Sequence, residues 1–151
     1  MKFSKTYMDS FFNNINDYYS MAELFTIAYF KLREQGTLPD WYVELREIMN
    51  WQSQSNRSGV WTYYEILDDT SASTLISRLK AKEENEILTI YMMGINKYRD
   101  ESIMEHIDKW IGENEERIYG YLTDVFISNK DWFYIIDSKL ESTAVLRNSL
   151  N

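Results

Sequence analysis

Residues 54–65 read QSNRSGVWTYYE, a polar run and a Ser-Gly step followed at once by Val60, Trp61, Tyr63 and Tyr64. Whether a strand or a helix starts here decides the fold. The stretch 59–67, GVWTYYEIL, and a later one, 131–137, DWFYIID, are rich in β-branched and aromatic side chains. Such residues suit a pleated, half-buried surface, so a small β-hairpin is one reading. Short apolar runs do not separate strand from helix by periodicity alone.

Outward from this stretch the apolar spacing is helical. Tyr7, Phe11, Ile15 and Tyr18 recur at three and four residues, as one helix face should. Ser20 with Glu23 three residues on forms a capping box, and Leu24, Ile27, Ala28 and Leu32 follow on one side. Gly36 is a natural stop. The sole proline, Pro39, suits the first turn of a helix whose inner face carries Trp41, Leu45, Ile48 and Met49. Residues 52–57 lack a large apolar side chain and read as a loop, with Ser58 as the cap of the next helix. Gly94 lies within a helical pattern, where it permits close packing. Further on, Ile103, Ile107, Ile111, Ile118, Leu122 and Val125 keep the helical period, with Gly112 as a break. The expected architecture is all-α: one domain over residues 1–151, a bundle of seven or eight helices, with 142–151 a frayed tail.

A chain of 151 residues suits one domain and buries about 70% of its unfolded surface. With 44% hydrophobic and 16% aromatic residues it has ample core material. The longest apolar-rich stretch, 21–30, is interrupted by Glu23 and Thr26, well short of the ~20 residues that span a membrane. The first residues lack the apolar segment of a signal peptide. These features predict a soluble cytoplasmic protein with no membrane partner.

Little in the chain suggests chemistry. Cysteine is absent, which excludes thiolate nucleophiles and thiolate metal sites. The single histidine, His106, would have to serve any Ser-His-Asp triad, and no Gly-x-Ser-x-Gly elbow exposes a serine. A bundle di-iron centre needs Glu-x-x-His pairs, whereas Ile103 precedes His106 by three. Asp68-Asp69 and the carboxylates of 83–86 could hold magnesium, yet such pairs are common on solvated surfaces. No phosphate-cradling glycine loop is present. Neither an enzyme, a metal site nor a cofactor is indicated.

Charge is more informative. The formal net charge is −8, from 24 acidic and 16 basic residues, which argues against direct nucleic-acid binding. Between residues 100 and 124 there are eight acidic residues and two basic ones. On a helix with Ile103, Ile107 and Ile111 inward, Glu101, Glu105, Asp108 and Glu115 form a row on the other side, widened by Glu113 and Glu116. An amphipathic helix carries such a face simply for solvation. The alternative is a surface for a basic protein partner, since steering a cationic partner offsets the cost of crowded like charges.

The stretch Asn56–Tyr64 resembles the hallmark of a small all-helical bacterial family, roughly Asn-Asn-Gly-Gly-Phe-His-Gln-Tyr-Phe, whose best-known member is an acidic DNA mimic. Asn56, Gly59 and Tyr63 match and Tyr64 is conservative, whereas Ser58, Val60 and Trp61 depart from it. The likeness extends at most from Trp41 to Tyr98. It implies an all-α fold and a noncatalytic binding role, without implying DNA mimicry for this chain. The expected function is therefore an acidic binder, either DNA-mimic-like toward a DNA-binding protein or an immunity-type inhibitor of a toxin. The alternatives are a small-molecule site or enzyme with a pocket near Arg57, Trp61 and Tyr64, and a helical subunit whose exposed aromatics pair it into a homodimer.

Overall fold

The computed structural model describes residues 3–135, and among these every regular element is a helix. Nine helices are present among the described residues, slightly more than the spacing suggests, and no strand forms among them. The hairpin reading of 59–67 and 131–137 is thereby corrected over the described residues: 61–65 and 130–135 are helical. Residues 136–137 and the frayed tail expected over 142–151 lie outside the described residues. The chain divides into two compact units, one built from the residues up to Thr37 and from Thr123 onward, the other from Leu38–Leu122.

In the first unit, α1 (Lys5–Phe12) starts where the Ser4 hydroxyl accepts the Tyr7 amide and buries Met8, Phe11 and Phe12. The single helical face expected from Tyr7 to Tyr18 is broken at Asn13, and a turn carries the chain to α2 (Tyr18–Arg33). Asp17, not Ser20, caps α2, accepting the Tyr19 amide at 3.2 Å; Ser20 is buried inside the first turn. An aspartate supplies the same acceptor three residues earlier, and the helix starts at the earlier cap. Met21, Leu24, Ile27, Ala28 and Leu32 form the buried stripe of α2. Phe12 meets Phe133 edge-on at 5.4 Å, and the Tyr134 hydroxyl donates to Asp9 at 2.5 Å. Gly36, at φ +76°, turns the chain after α2.

In the second unit, α3 (Asp40–Arg57) packs against α4 (Trp61–Glu65), α5 (Asp69–Ala81) and α7 (Glu101–Glu113). Between α5 and α7 lies α6 (Asn85–Met93), and α8 (Glu115–Ser128) follows α7, its residues up to Leu122 counting with this unit and those from Thr123 with the first. Pro39 stands at the N-cap of α3. Asp68 and Asp100 cap α5 and α7 through the amides of Ser71 and Ile103. The inner stripes are Leu75 and Leu79 on α5, Ile87, Ile90 and Tyr91 on α6, and Met104, Ile107 and Ile111 on α7. The break after α7 falls at Asn114 rather than Gly112. No helix among the described residues is long and apolar enough to cross a membrane.

Candidate functional site

The stretch 54–65 is built differently from the loop and serine cap expected of it. Residues 52–57 continue α3, and Ser58 is the C-cap of that helix. Polar side chains sit well on a helix whose outer face meets solvent, and only Gln52 of this run is buried. The amides of Ser58 and Gly59 both turn back to the Gln54 carbonyl at 2.9 Å, with Gly59 at φ +102°. Positive φ after a helix is the conformation in which glycine carries no Cβ penalty. The short α4 then starts at Val60 with no cap from its own segment.

The missing acceptor comes from α7. Asp108 Oδ1 accepts the Val60 amide at 2.9 Å and the Ser55 hydroxyl at 2.6 Å. One carboxylate oxygen thus holds the end of α3 and the beginning of α4 against α7. Asp108 is half-buried, whereas Glu101, Glu105, Glu113, Glu115 and Glu116 are exposed. The acidic row therefore has an inner member and five outer ones. Asn114 interrupts it, leaving Glu101, Glu105 and Glu113 on α7 while Glu115 and Glu116 open α8. Carboxylates in a first turn meet the positive end of the helix dipole.

Some outer carboxylates have partners. Lys109 lies 3.9 Å from Glu113, and Tyr119 donates to Glu115 at 2.9 Å. Glu101, Glu105 and Glu116 make no ion pair among the described residues. Arg117 is taken up by Glu84 at 2.9 Å and Glu86 at 3.1 Å. The fold thus adds two further carboxylates beside the start of α8 and spends one of the two local cations on them. The same pairings give 83–86 a local role, as capping does for Asp68. His106 is exposed on α7.

Of the residues suggested as lining a pocket, Arg57 and Trp61 are exposed while Tyr64 is in the core. Tyr64 belongs to a hydrogen-bonded aromatic cluster that sequence reasoning missed. Trp51 Nε1 donates to the Tyr64 hydroxyl at 2.9 Å, which itself donates to the Tyr91 carbonyl at 2.7 Å. Tyr63 donates to Glu47 at 3.0 Å and lies 2.8 Å from the Tyr91 hydroxyl. Since the Tyr63 proton goes to Glu47, Tyr91 is the donor in that last bond. Burial pushes the Tyr63, Tyr64 and Tyr91 hydroxyls well above the usual tyrosine range, so they stay neutral donors.

Two glutamates on the inner face of α3 complete the interior. Glu47 accepts from Arg46 at 3.0 Å as well as from Tyr63. Glu44 is 0% exposed and is held by Arg78 at 2.7 Å, by Lys82 and by the Tyr121 hydroxyl, itself pushed upward mainly by burial. Glu44, Ile48 and Trp51 follow at spacings of four and three, so the helical period does place this carboxylate inward. Its partners, 34 to 77 residues away, leave no local trace.

No protein-family model, curated protein or solved structure matches this chain. The geometry offers a buried hydrogen-bond network and an exposed acidic surface. In the network the protons of Tyr63, Tyr64, Tyr91 and Tyr121 are each given to an internal acceptor. Such a network makes a core rigid and unique.

Proposed function

We propose that the chain is a noncatalytic, acidic, cytoplasmic protein that acts by occupying the basic surface of another protein, a DNA-binding protein or a toxin. The observation carrying this is the exposure of Glu101, Glu105, Glu113, Glu115 and Glu116 along α7 and the start of α8, with Glu84 and Glu86 alongside. Of the two cations between residues 100 and 124, Arg117 is bound by two carboxylates and Lys109 stands opposite Glu113. The exposed carboxylates on this face outnumber its cations, a net negative charge of the kind that steers a cationic partner to its site. The buried carboxylates Glu44 and Glu47 are matched by Arg78, Lys82 and Arg46, so the unmatched charge is on the outside. The resemblance carried by Asn56, Gly59, Tyr63 and Tyr64 points the same way.

The test is capture of partners on the immobilised chain. A retained partner should be basic and should elute at roughly 0.5 M salt, where the screening length is a few ångströms. The variant combining Glu101→Lys, Glu105→Lys and Glu116→Lys should lose it while keeping its helical circular dichroism. Retention that survives both salt and charge reversal overturns the proposal.

A further inference from the structure

Helix α2 carries apolar side chains on two opposite sides. Met21, Leu24, Ile27, Ala28 and Leu32 are buried, and the other side presents Tyr19, Ala22, Thr26, Tyr29 and Arg33 at spacings of three and four. Tyr19 is 64% exposed, Tyr29 46%, and Phe30, which meets Tyr29 edge-on at 5.5 Å, 57%. Thr26, in the middle of this side, donates its hydroxyl to the Ala22 carbonyl at 2.9 Å and so asks for no outside acceptor. Only Glu23, Lys31 and Arg33 of the helix are charged, and Lys31 is buried. The outer side of a surface helix is ordinarily polar, and a helix apolar all round is ordinarily covered all round. Alternation of three and four is also the seam along which two helices pack side by side.

The seam is graded from one end to the other. Ala22 and Thr26, in its first half, are small, whereas Tyr29 and Arg33, in its second half, are large. Glu23 flanks the small end, and neither it nor Arg33 makes an ion pair among the described residues. A second copy of α2 laid antiparallel sets Tyr29 opposite Thr26 of the second copy, and Arg33 opposite its Ala22 and beside its Glu23. Each of these pairings is made twice, as a two-fold interface requires. A parallel copy sets Tyr29 against Tyr29 and Arg33 against Arg33, large against large and like charge against like. We propose that the outer side of α2 is the interface of an antiparallel homodimer, with Tyr29 and Phe30 as its apolar centre and two Glu23–Arg33 ion pairs at its ends. This goes beyond the acidic docking surface and does not depend on it, since α2 supplies none of those carboxylates.

Sedimentation equilibrium of the full chain over a wide concentration range reads the association. The mass should rise from that of one chain to that of two and no further. Tyr29→Glu should hold the chain monomeric throughout. Circular dichroism checks that it stays folded, and Phe30→Glu serves if it does not. Glu23→Arg and Arg33→Glu should each weaken the dimer roughly tenfold by setting like charges beside each other, and the variant carrying both should recover most of the loss. A monomer at every concentration overturns the proposal and gives this side of α2 to the residues beyond Ile135 or to another protein. A dimer indifferent to Tyr29→Glu and Phe30→Glu overturns α2 as the interface. Single reversals with no recovery in the combined variant overturn the antiparallel pairing.

Discussion

Asp108 accepts the Val60 amide at 2.9 Å although 48 residues separate the two in sequence. The first turn of a helix leaves amide groups without partners, and α4 has no cap of its own. Its capping acceptor is delivered by tertiary structure, and the same oxygen fastens Ser55 at the end of α3. A five-residue helix is marginal by itself. This clamp, with Tyr63 and Tyr64 anchored in the core, is what makes 61–65 a helix.

Asp108→Ala should therefore cost stability even though Asp108 lies in an otherwise exposed row. It removes a charged acceptor from two donors, one of them a backbone amide, for a loss of about 2 kcal/mol. Asp108→Asn, which retains one oxygen acceptor, should cost less. Urea denaturation followed by circular dichroism checks both, and Glu105→Ala in the same assay should be near neutral.

Gly94 and Gly120 should respond to alanine in opposite directions. A Cβ at Gly94 would lie 2.2 Å from Tyr64 Cζ, and Tyr64 cannot move without breaking its bonds to Trp51 and Tyr91. Gly94→Ala should destabilise by about 3 kcal/mol, at the high end for overpacking. Gly120 sits in α8 with nothing within 4 Å of its added Cβ, so Gly120→Ala should stabilise by about 0.5–1 kcal/mol. Thermal melts of the two variants give the comparison.

Glu44→Ala leaves Arg78, Lys82 and the Tyr121 hydroxyl without their common acceptor. Breaking a buried ion pair from one side costs about 3–5 kcal/mol. Arg78 and Lys82 are each about a third exposed, which lets water reach them and places the loss near the low end. Chemical denaturation should show a lowered midpoint with little change in slope.

Alkaline pH should unfold the chain. Burial raises Tyr63, Tyr64, Tyr91 and Tyr121 above the ordinary tyrosine value, and Tyr134 rises to about 12 through burial and its bond to Asp9. Below the unfolded value near 10 both states keep these protons, and the stability they support is fully present. Above it the unfolded state loses protons that the folded state retains, so stability falls as pH rises through the folded values. Tyrosinate absorbance should show a subset of the 12 tyrosines ionising only together with loss of helix.

The all-α class was legible because apolar side chains recur at three and four residues over most of the chain. So was the close packing at Gly94, a glycine within an otherwise apolar helical pattern. Residues 52–57 look like a loop because a solvent-facing helix end and a loop have the same composition. Asp17 and Ser20 are equally good caps by chemistry, and only the position of the buried stripe chooses between them. Asp108 reads as one more surface carboxylate, since its donors Ser55 and Val60 are far away in sequence. Glu44 and Glu47 are the reverse case: their spacing with Trp51 does mark them as inward, but the cations that make burial tolerable come from α5 and from Arg46.

The most direct test of the proposed acidic docking surface is the association rate with a basic partner captured on the immobilised chain, measured by stopped flow over a range of ionic strength. The surface predicts that the wild-type rate falls steeply as salt rises. It also predicts that Glu101→Lys with Glu105→Lys slows association roughly tenfold at low salt, with the two rates converging at high salt. Equal rates for variant and wild type at every ionic strength would contradict it.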